Sequence, residues 1–185
     1  MLLNLPRGYD MSDKKDVSSK QEHMIASYLG WSVVPGSGSR ACRPGDIQSD
    51  QWLCECKTHT QPISRYTFVQ TVWNKLSDEA ASRFKYAVLF VDDGTQKIDH
   101  TWCLLRFNTI SWSDVYASSA VANWFACNKK FNTNIVISSE ELSKLYSEAG
   151  QTSDTAGLRI YHGNNDFLLA SLPLFREICQ AMGWS

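Results

Sequence analysis

No apolar run in this chain approaches the roughly 18 residues that a membrane span requires, and the opening MLLNLPRGYD is interrupted too early for a signal peptide. The expectation is an intracellular protein with no membrane partner, in the cytoplasm of a prokaryotic cell or of a virus-infected host. The six cysteines, Cys42, Cys54, Cys56, Cys103, Cys127 and Cys179, lack the spacing of a secreted disulfide scaffold. They read as reduced thiols, several of them small core residues. Excess charge of either sign is also missing, since 18 Lys and Arg against 19 Asp and Glu leave a formal net charge of -1. That balance argues against tight non-specific binding to nucleic acid while leaving room for a local basic groove. Internal repeats are absent. What remains, 43% hydrophobic and 20% charged residues in a chain of 185, is the make-up of a globular protein able to bury its own core.

Residues 1–16 mix Gly, Pro and alternating charges without periodicity and are expected to form a flexible leader. Ser18 or Ser19 is placed to cap a helix running to Leu29, with Gly30 positioned to end it. A short β-rich run, Trp31 to Val34, stops at Pro35. Gly36-Ser37-Gly38-Ser39 then opens a loop that extends to Pro44-Gly45, and a second strand is expected near Asp46. Trp52 to Lys57 alternates Trp52/Cys54/Cys56 with Leu53/Glu55/Lys57, as a strand must. Val69, Val72, Trp73, Leu76 and Ala80 recur at three- and four-residue steps and predict an amphipathic helix from Tyr66 to Phe84. The apolar run Tyr86 to Val91, closed by Asp92-Asp93-Gly94, predicts a buried strand and a turn. The first half thus reads α-β-β-β-α-β.

Beyond it come strands at Trp102 to Phe107 and Asn134 to Ser138, helices at Ser139 to Ala149 and near Leu172 to Met182, and a polar loop over Gln151 to Gly157. The fold class is α/β, a central mixed sheet flanked by helices. The expected division is a leader at 1–16, a core at 17–94, and a C-terminal α/β elaboration at 95–185 packed on that core.

The chemistry concentrates near the start of the core. Asp46 follows a Pro-Gly turn, and Glu55 and Lys57 appear nine and eleven residues later on one face of a strand, about 7 Å apart. Glu22 shares its helical stripe with Ile25, Ala26 and Leu29, so a carboxylate falls on the core-facing side and needs a partner there. Hydrolysis of a phosphodiester calls for an activated water and for neutralisation of the charge that builds on the phosphoryl oxygens. A few convergent carboxylates holding magnesium, with a lysine beside them, supply both; magnesium keeps several waters and needs no complete protein cage.

Glu22, then Gly36-Ser37-Gly38-Ser39-Arg40, then Pro44-Gly45-Asp46-Ile47, then Glu55-Cys56-Lys57 resembles the PD-(D/E)xK nuclease superfamily, and within it the Holliday junction resolvases of archaeal and phage type. The likeness covers residues 18 to 92, about half the chain, and lies in the ordered set rather than in any one fragment. It departs from the pattern where Gly45 separates Pro44 from Asp46. The resemblance implies a restriction-endonuclease-like core and a magnesium-dependent endonuclease of branched DNA, such as a four-way junction, acting as a homodimer, with manganese able to substitute. It implies that Asp46, Glu55 and the Cys56 backbone carbonyl bind the metal and that Lys57 orients or activates the attacking water. It implies further that Glu22 completes the outer part of the site, that Ser37, Ser39, Arg40 and Arg43 approach the DNA backbone, and that Gln70 is a candidate auxiliary residue.

Other readings compete. The same fold can serve a restriction-like or repair endonuclease, or a non-catalytic nucleic-acid or protein-binding module. Cys42, Cys54, Cys56 and His59 could collect zinc or an iron–sulfur cluster, although the Trp52/Cys54/Cys56 set is more simply core packing under a helix. Trp73, Trp102, Trp112 and Trp124 could stack on unpaired bases, although their apolar surroundings favour packing.

Overall fold

The computed structural model describes residues 11–36, 44–117, 125–131, 133–148 and 156–184. Helix α1 spans Met11–Leu29, and two short strands follow, β1 (Ser32–Val33) and β2 (Ile47–Gln48). Then come β3 (Trp52–Lys57), β4 (Arg65–Phe68), α2 (Gln70–Ala81), β5 (Tyr86–Asp92) and β6 (Thr101–Arg106). The rest is α3 (Trp112–Ala117), β7 (Phe125–Phe131), β8 (Ile135–Ser138), α4 (Ser139–Glu148), β9 (Gly157–His162), β10 (Asn165–Ser171) and α5 (Leu172–Ala181).

Eight strands form one mixed sheet in the order β1-β2-β3-β5-β6-β10-β9-β7, and β4 pairs with β8 in a separate ribbon. Pairing is parallel between β3 and β5 and between β7 and β9, and antiparallel elsewhere. Successive side chains of a strand point to opposite faces, and the central strands split accordingly. Trp52, Cys54, Cys56, Val88, Phe90, Cys103 and Leu105 face α1 and α5, where Ile25, Leu29, Leu172, Phe175 and Ile178 complete one core. Leu53, Leu89, Val91 and Leu104 face α2, where Trp73, Leu76 and Ala80 complete the other with the β4–β8 ribbon. Each such side chain removed from water stabilises the fold by roughly 1.5 to 3 kcal/mol before conformational entropy is counted.

Most expected elements are present, with three differences. Helix α1 already includes Met11, so residues 11–16 are helical and Ser18 is an interior helix residue rather than a cap. The stretch Met11 to Lys20 holds no Gly or Pro to break a helix, and the Val17 carbonyl accepts a hydrogen bond from Gln96 Nε2 at 2.8 Å. The helix expected from Tyr66 to Phe84 is shorter. Tyr66 and Phe68 lie in β4, opposite Ile137 and Ile135 of β8, and α2 starts only after Val69, which has extended backbone (φ -82, ψ 121). Its far end is closed by Phe84 at φ 56, a left-handed conformation no helix can continue through. Finally, α3, β7, β9 and β10 were not foreseen, and the pairing of β5 with β6 carries the sheet unbroken across residue 94. No helix among the described residues is long and apolar enough to cross a membrane.

Candidate active site

Asp46 is fastened to β3 at two points. Its backbone N–H donates to the Cys54 carbonyl at 2.7 Å, and its carboxylate Oδ2 accepts the Cys56 N–H at 2.8 Å. The turn that delivers it needs glycine, because Gly45 sits at φ 78 and an added Cβ would fall 2.6 Å from Leu53 Cδ1 and 3.1 Å from the Cys54 carbonyl oxygen. Proline, locked near φ -65°, cannot take that conformation. The departure of Pro44-Gly45-Asp46 from a proline directly before the acid therefore has a backbone cause.

Glu55 and Lys57 share the α2 side of β3, as the alternation requires, and Lys57 Nζ donates to Glu55 Oε1. Burial of Lys57 works against its charge, but the hydrogen bond and the negative charge of Glu55, with Asp46 behind it, win and hold its pKa above the ordinary value. An ammonium held this firmly acts as a cation rather than as a proton acceptor. The Cys54 and Cys56 thiols lie in the opposite core, where burial raises both pKa values well above the ordinary one. Buried neutral thiols are packing residues, and His59, exposed on the loop after β3, stands apart from them.

Helix α1 contributes from above. Glu22 is half-buried, and burial, then the negative charge of Asp46, push its pKa up; Glu55 adds to this, while a hydrogen bond from Ser18 Oγ at 3.2 Å opposes it. Glu22 on α1 therefore senses the carboxylates of Asp46, before β2, and Glu55, on β3. Beside Glu22, Gln21 is fully buried and donates from Nε2 to the Lys57 carbonyl at 3.1 Å, tying α1 to the last residue of β3. Its Oε1 is buried without a partner. Gln21 had a legible signal, since it continues the four-residue stripe of Ile25 and Leu29, but a polar residue on such a stripe drew no attention next to Glu22.

Asp92 is a second residue that sequence reasoning assigned only to a turn. It is wholly buried at the end of β5, accepting from Thr58 Oγ1 at 2.6 Å and from the Gly94 N–H at 2.7 Å. Burial raises its pKa against those two hydrogen bonds, and its Oδ2 has no partner. The neighbouring Asp93 is engaged by Thr95 and by His100 Nδ1 at 2.9 Å, which ties down the turn.

Not every expected site residue joins this cluster. Ser37, Ser39, Arg40 and Arg43 lie outside the described residues, as does Cys42. Gln70 stands in the first turn of α2 and lines a pocket to which Glu22, Asp46, Glu55 and Lys57 do not contribute. Trp73 and Trp102 are buried, Trp112 packs on Phe107, and Trp124 is outside the described residues. Among the described residues no three His, Cys, Asp or Glu side chains lie ready to enclose a metal ion; Asp46 is turned onto the Cys56 amide and Glu55 onto Lys57. No protein-family model, no curated protein and no solved structure matches this chain.

Proposed function

We propose that this chain is a magnesium-dependent endodeoxyribonuclease with a restriction-endonuclease-like core, and that its substrate is branched DNA such as a four-way junction. The observation that carries the reading is the convergence on one strand end: Asp46 bound to the Cys56 amide, Glu55 paired with Lys57, and Glu22 close enough for Asp46 and Glu55 to raise its pKa. Mutually repelling carboxylates beside a neutral core are the hard-oxygen set that a divalent cation relieves.

Asp46 and Glu55, with the Cys56 carbonyl, would hold magnesium or manganese, with Glu22 reaching it through water. The ion supplies charge neutralisation at the phosphoryl oxygens and a more acidic bound water. Lys57, kept cationic by Glu55 and Asp46, orients the attacking water and balances charge developing on the phosphate. Gln21 fixes the carbonyl of Lys57, and so the end of β3 on which both Glu55 and Lys57 stand. A homodimer would bring two such sites to two strands of a junction, and the small net charge suits a protein that selects DNA shape over bulk duplex.

A labelled four-way junction incubated with magnesium beside its matched linear duplex and single strand tests the substrate. Selective cutting of the junction is expected. Equal cutting of the duplex moves the protein to a restriction-like or repair role, and no cutting of any substrate contradicts the enzyme reading in favour of a binding module.

A further inference from the structure

Two oxygen atoms buried beneath α1, Gln21 Oε1 and Asp92 Oδ2, have no hydrogen-bond partner among the described residues. Both side chains are fully buried, and the backbone brings them to one seam of the sheet. Cys56 turns its N–H to Asp46, on the β2 side, so the next residue, Lys57, turns its carbonyl to the β5 side. Gln21 Nε2 donates to that carbonyl at 3.1 Å. Asp92 follows Val88 and Phe90 at two-residue steps and so points to the α1 face. There Thr58 Oγ1, one residue after Lys57, donates to Asp92 Oδ1 at 2.6 Å. The loop after Asp92 also meets α1, where Gln96 Nε2 donates to the Val17 carbonyl, one helical turn before Gln21.

A buried acceptor without a donor is destabilising, and two at one seam call for a shared one. Turning the Gln21 carboxamide over would offer Asp92 an N–H but set Oε1 against the Lys57 carbonyl, acceptor on acceptor. Thr101, opposite Asp92 on β6, donates its hydroxyl to the Lys97 carbonyl instead. Burial, the largest influence on Asp92, favours its neutral form, as does the charge of Asp93; the hydrogen bonds from Thr58 and Gly94 and the charge of His59 oppose this without prevailing. His100 is paired with Asp93, and on α1 the carboxylate beside Gln21, Glu22, interacts with Asp46 and Glu55.

We propose that Asp92 is a neutral carboxyl group in the folded protein and that its Oδ2–H donates to Gln21 Oε1. The strut so formed, from β5 through Gln21 to the Lys57 carbonyl, fixes α1, and Glu22 with it, over the end of β3. A shared proton needs no cavity, which suits two side chains closed off from solvent. Asp92 is thus a positioning residue. The strut stands by itself, and its bearing on Glu22 as an outer metal ligand rests on the nuclease reading.

The test follows the carbonyl stretch of neutral carboxyl groups in infrared spectra of the full-length protein. The pH is raised from 3.8, the ordinary value for aspartate, for wild type, Asp92→Asn and Gln21→Met. Expected is a wild-type band that outlasts this pH, is absent from Asp92→Asn, and moves to higher frequency in Gln21→Met, which keeps the side-chain length but removes the amide oxygen. Absence of the band from wild type overturns the proposal, with a water or a cation then serving Asp92 Oδ2. A band that Gln21→Met leaves in place overturns it too. Manganese titration reads the positioning, with circular dichroism to confirm that each variant folds. Asp92→Asn, whose Nδ2–H can donate to Gln21 as the acid does, is expected to bind within about twofold of wild type, and Asp92→Ala about tenfold more weakly. Equal affinities, or a loss in Asp92→Asn as large as in Asp92→Ala, overturn the positioning role. A band that behaves as expected in a protein that neither binds manganese nor cuts DNA upholds the strut and overturns the nuclease reading instead.

Discussion

At the scale of single residues, what stands out is how little freedom the candidate site residues have. Asp46 is held by two hydrogen bonds, and Lys57 is cationic because Glu55 and Asp46 outweigh its burial. The two polar side chains that sequence patterns passed over are among the most buried. Gln21→Ala removes the bond to the Lys57 carbonyl and opens a gap under α1; a loss of roughly 2 kcal/mol in urea unfolding is expected, with the unfolding slope unchanged. Asp92 gives a prediction in pH. Its folded pKa lies above the ordinary 3.8 because of burial, so the folded state holds the proton more tightly than the unfolded chain does. The stability this contributes is complete below pH 3.8 and is lost as the pH rises through the folded value. Asp92→Asn should flatten that decline. Urea midpoints measured from pH 3 upward check it, and an unchanged profile would mean that Asp92 is not the group responsible. Some slope remains in the variant, because Glu22 is shifted in the same direction.

At the scale of elements, β3 was legible because its alternation is unambiguous: Trp52, Cys54 and Cys56 enter one core, while Glu55 and Lys57 reach the other side's open end. The nearness of Asp46 to Glu55 and Lys57 was legible for the same reason, since two strands and a turn bring together residues that lie near in sequence. The start of α2 was not. Tyr66 and Phe68 fit a helical spacing as well as a strand, and only pairing with β8, some seventy residues away, decides between them. Strand β10 was missed because it is buried on both faces and carries no period-two signal, as in the run Phe167-Leu168-Leu169-Ala170; β9 does alternate, with Leu158 and Ile160 buried and Arg159 and Tyr161 partly exposed, but it is short and follows a polar stretch. The Gly45 turn supplies a prediction of its own. Gly45→Ala combines a left-handed backbone with overlap onto Leu53 and should cost roughly 3 kcal/mol, displacing Asp46 and weakening manganese binding. Gly30→Ala, at φ 76 but with no atom within 4 Å of its Cβ, should cost only about 1 kcal/mol and leave manganese affinity unchanged. Thermal unfolding and manganese titration of the two variants make the comparison, and equal losses would refute the steric account.

At the scale of the whole molecule, Glu22, Asp46, Glu55 and Lys57 all precede residue 58, yet β5, which flanks β3, is itself paired with β6, and β6 with β10. A fragment ending at residue 94 would keep Glu22, Asp46, Glu55 and Lys57 but leave β5 an unpaired hydrophobic edge. It is expected to aggregate or to unfold without cooperativity, and the full chain is expected to unfold in a single transition; a fragment that folds and unfolds as cooperatively as the full chain would show the first half to be self-sufficient. On this scaffold the proposed metal-dependent nuclease rests on four side chains, Glu55 and Lys57 on β3, Asp46 just before β2 and Glu22 on α1. The measurement that tests this most directly is single-turnover cleavage of a labelled four-way junction by wild type and Glu55→Ala, each in magnesium and in EDTA. Cutting by wild type in magnesium alone, and at least about a hundredfold slower in Glu55→Ala, is the predicted result. Cutting that survives Glu55→Ala or EDTA would contradict the assignment of the site, and no cutting by wild type would contradict the enzyme itself.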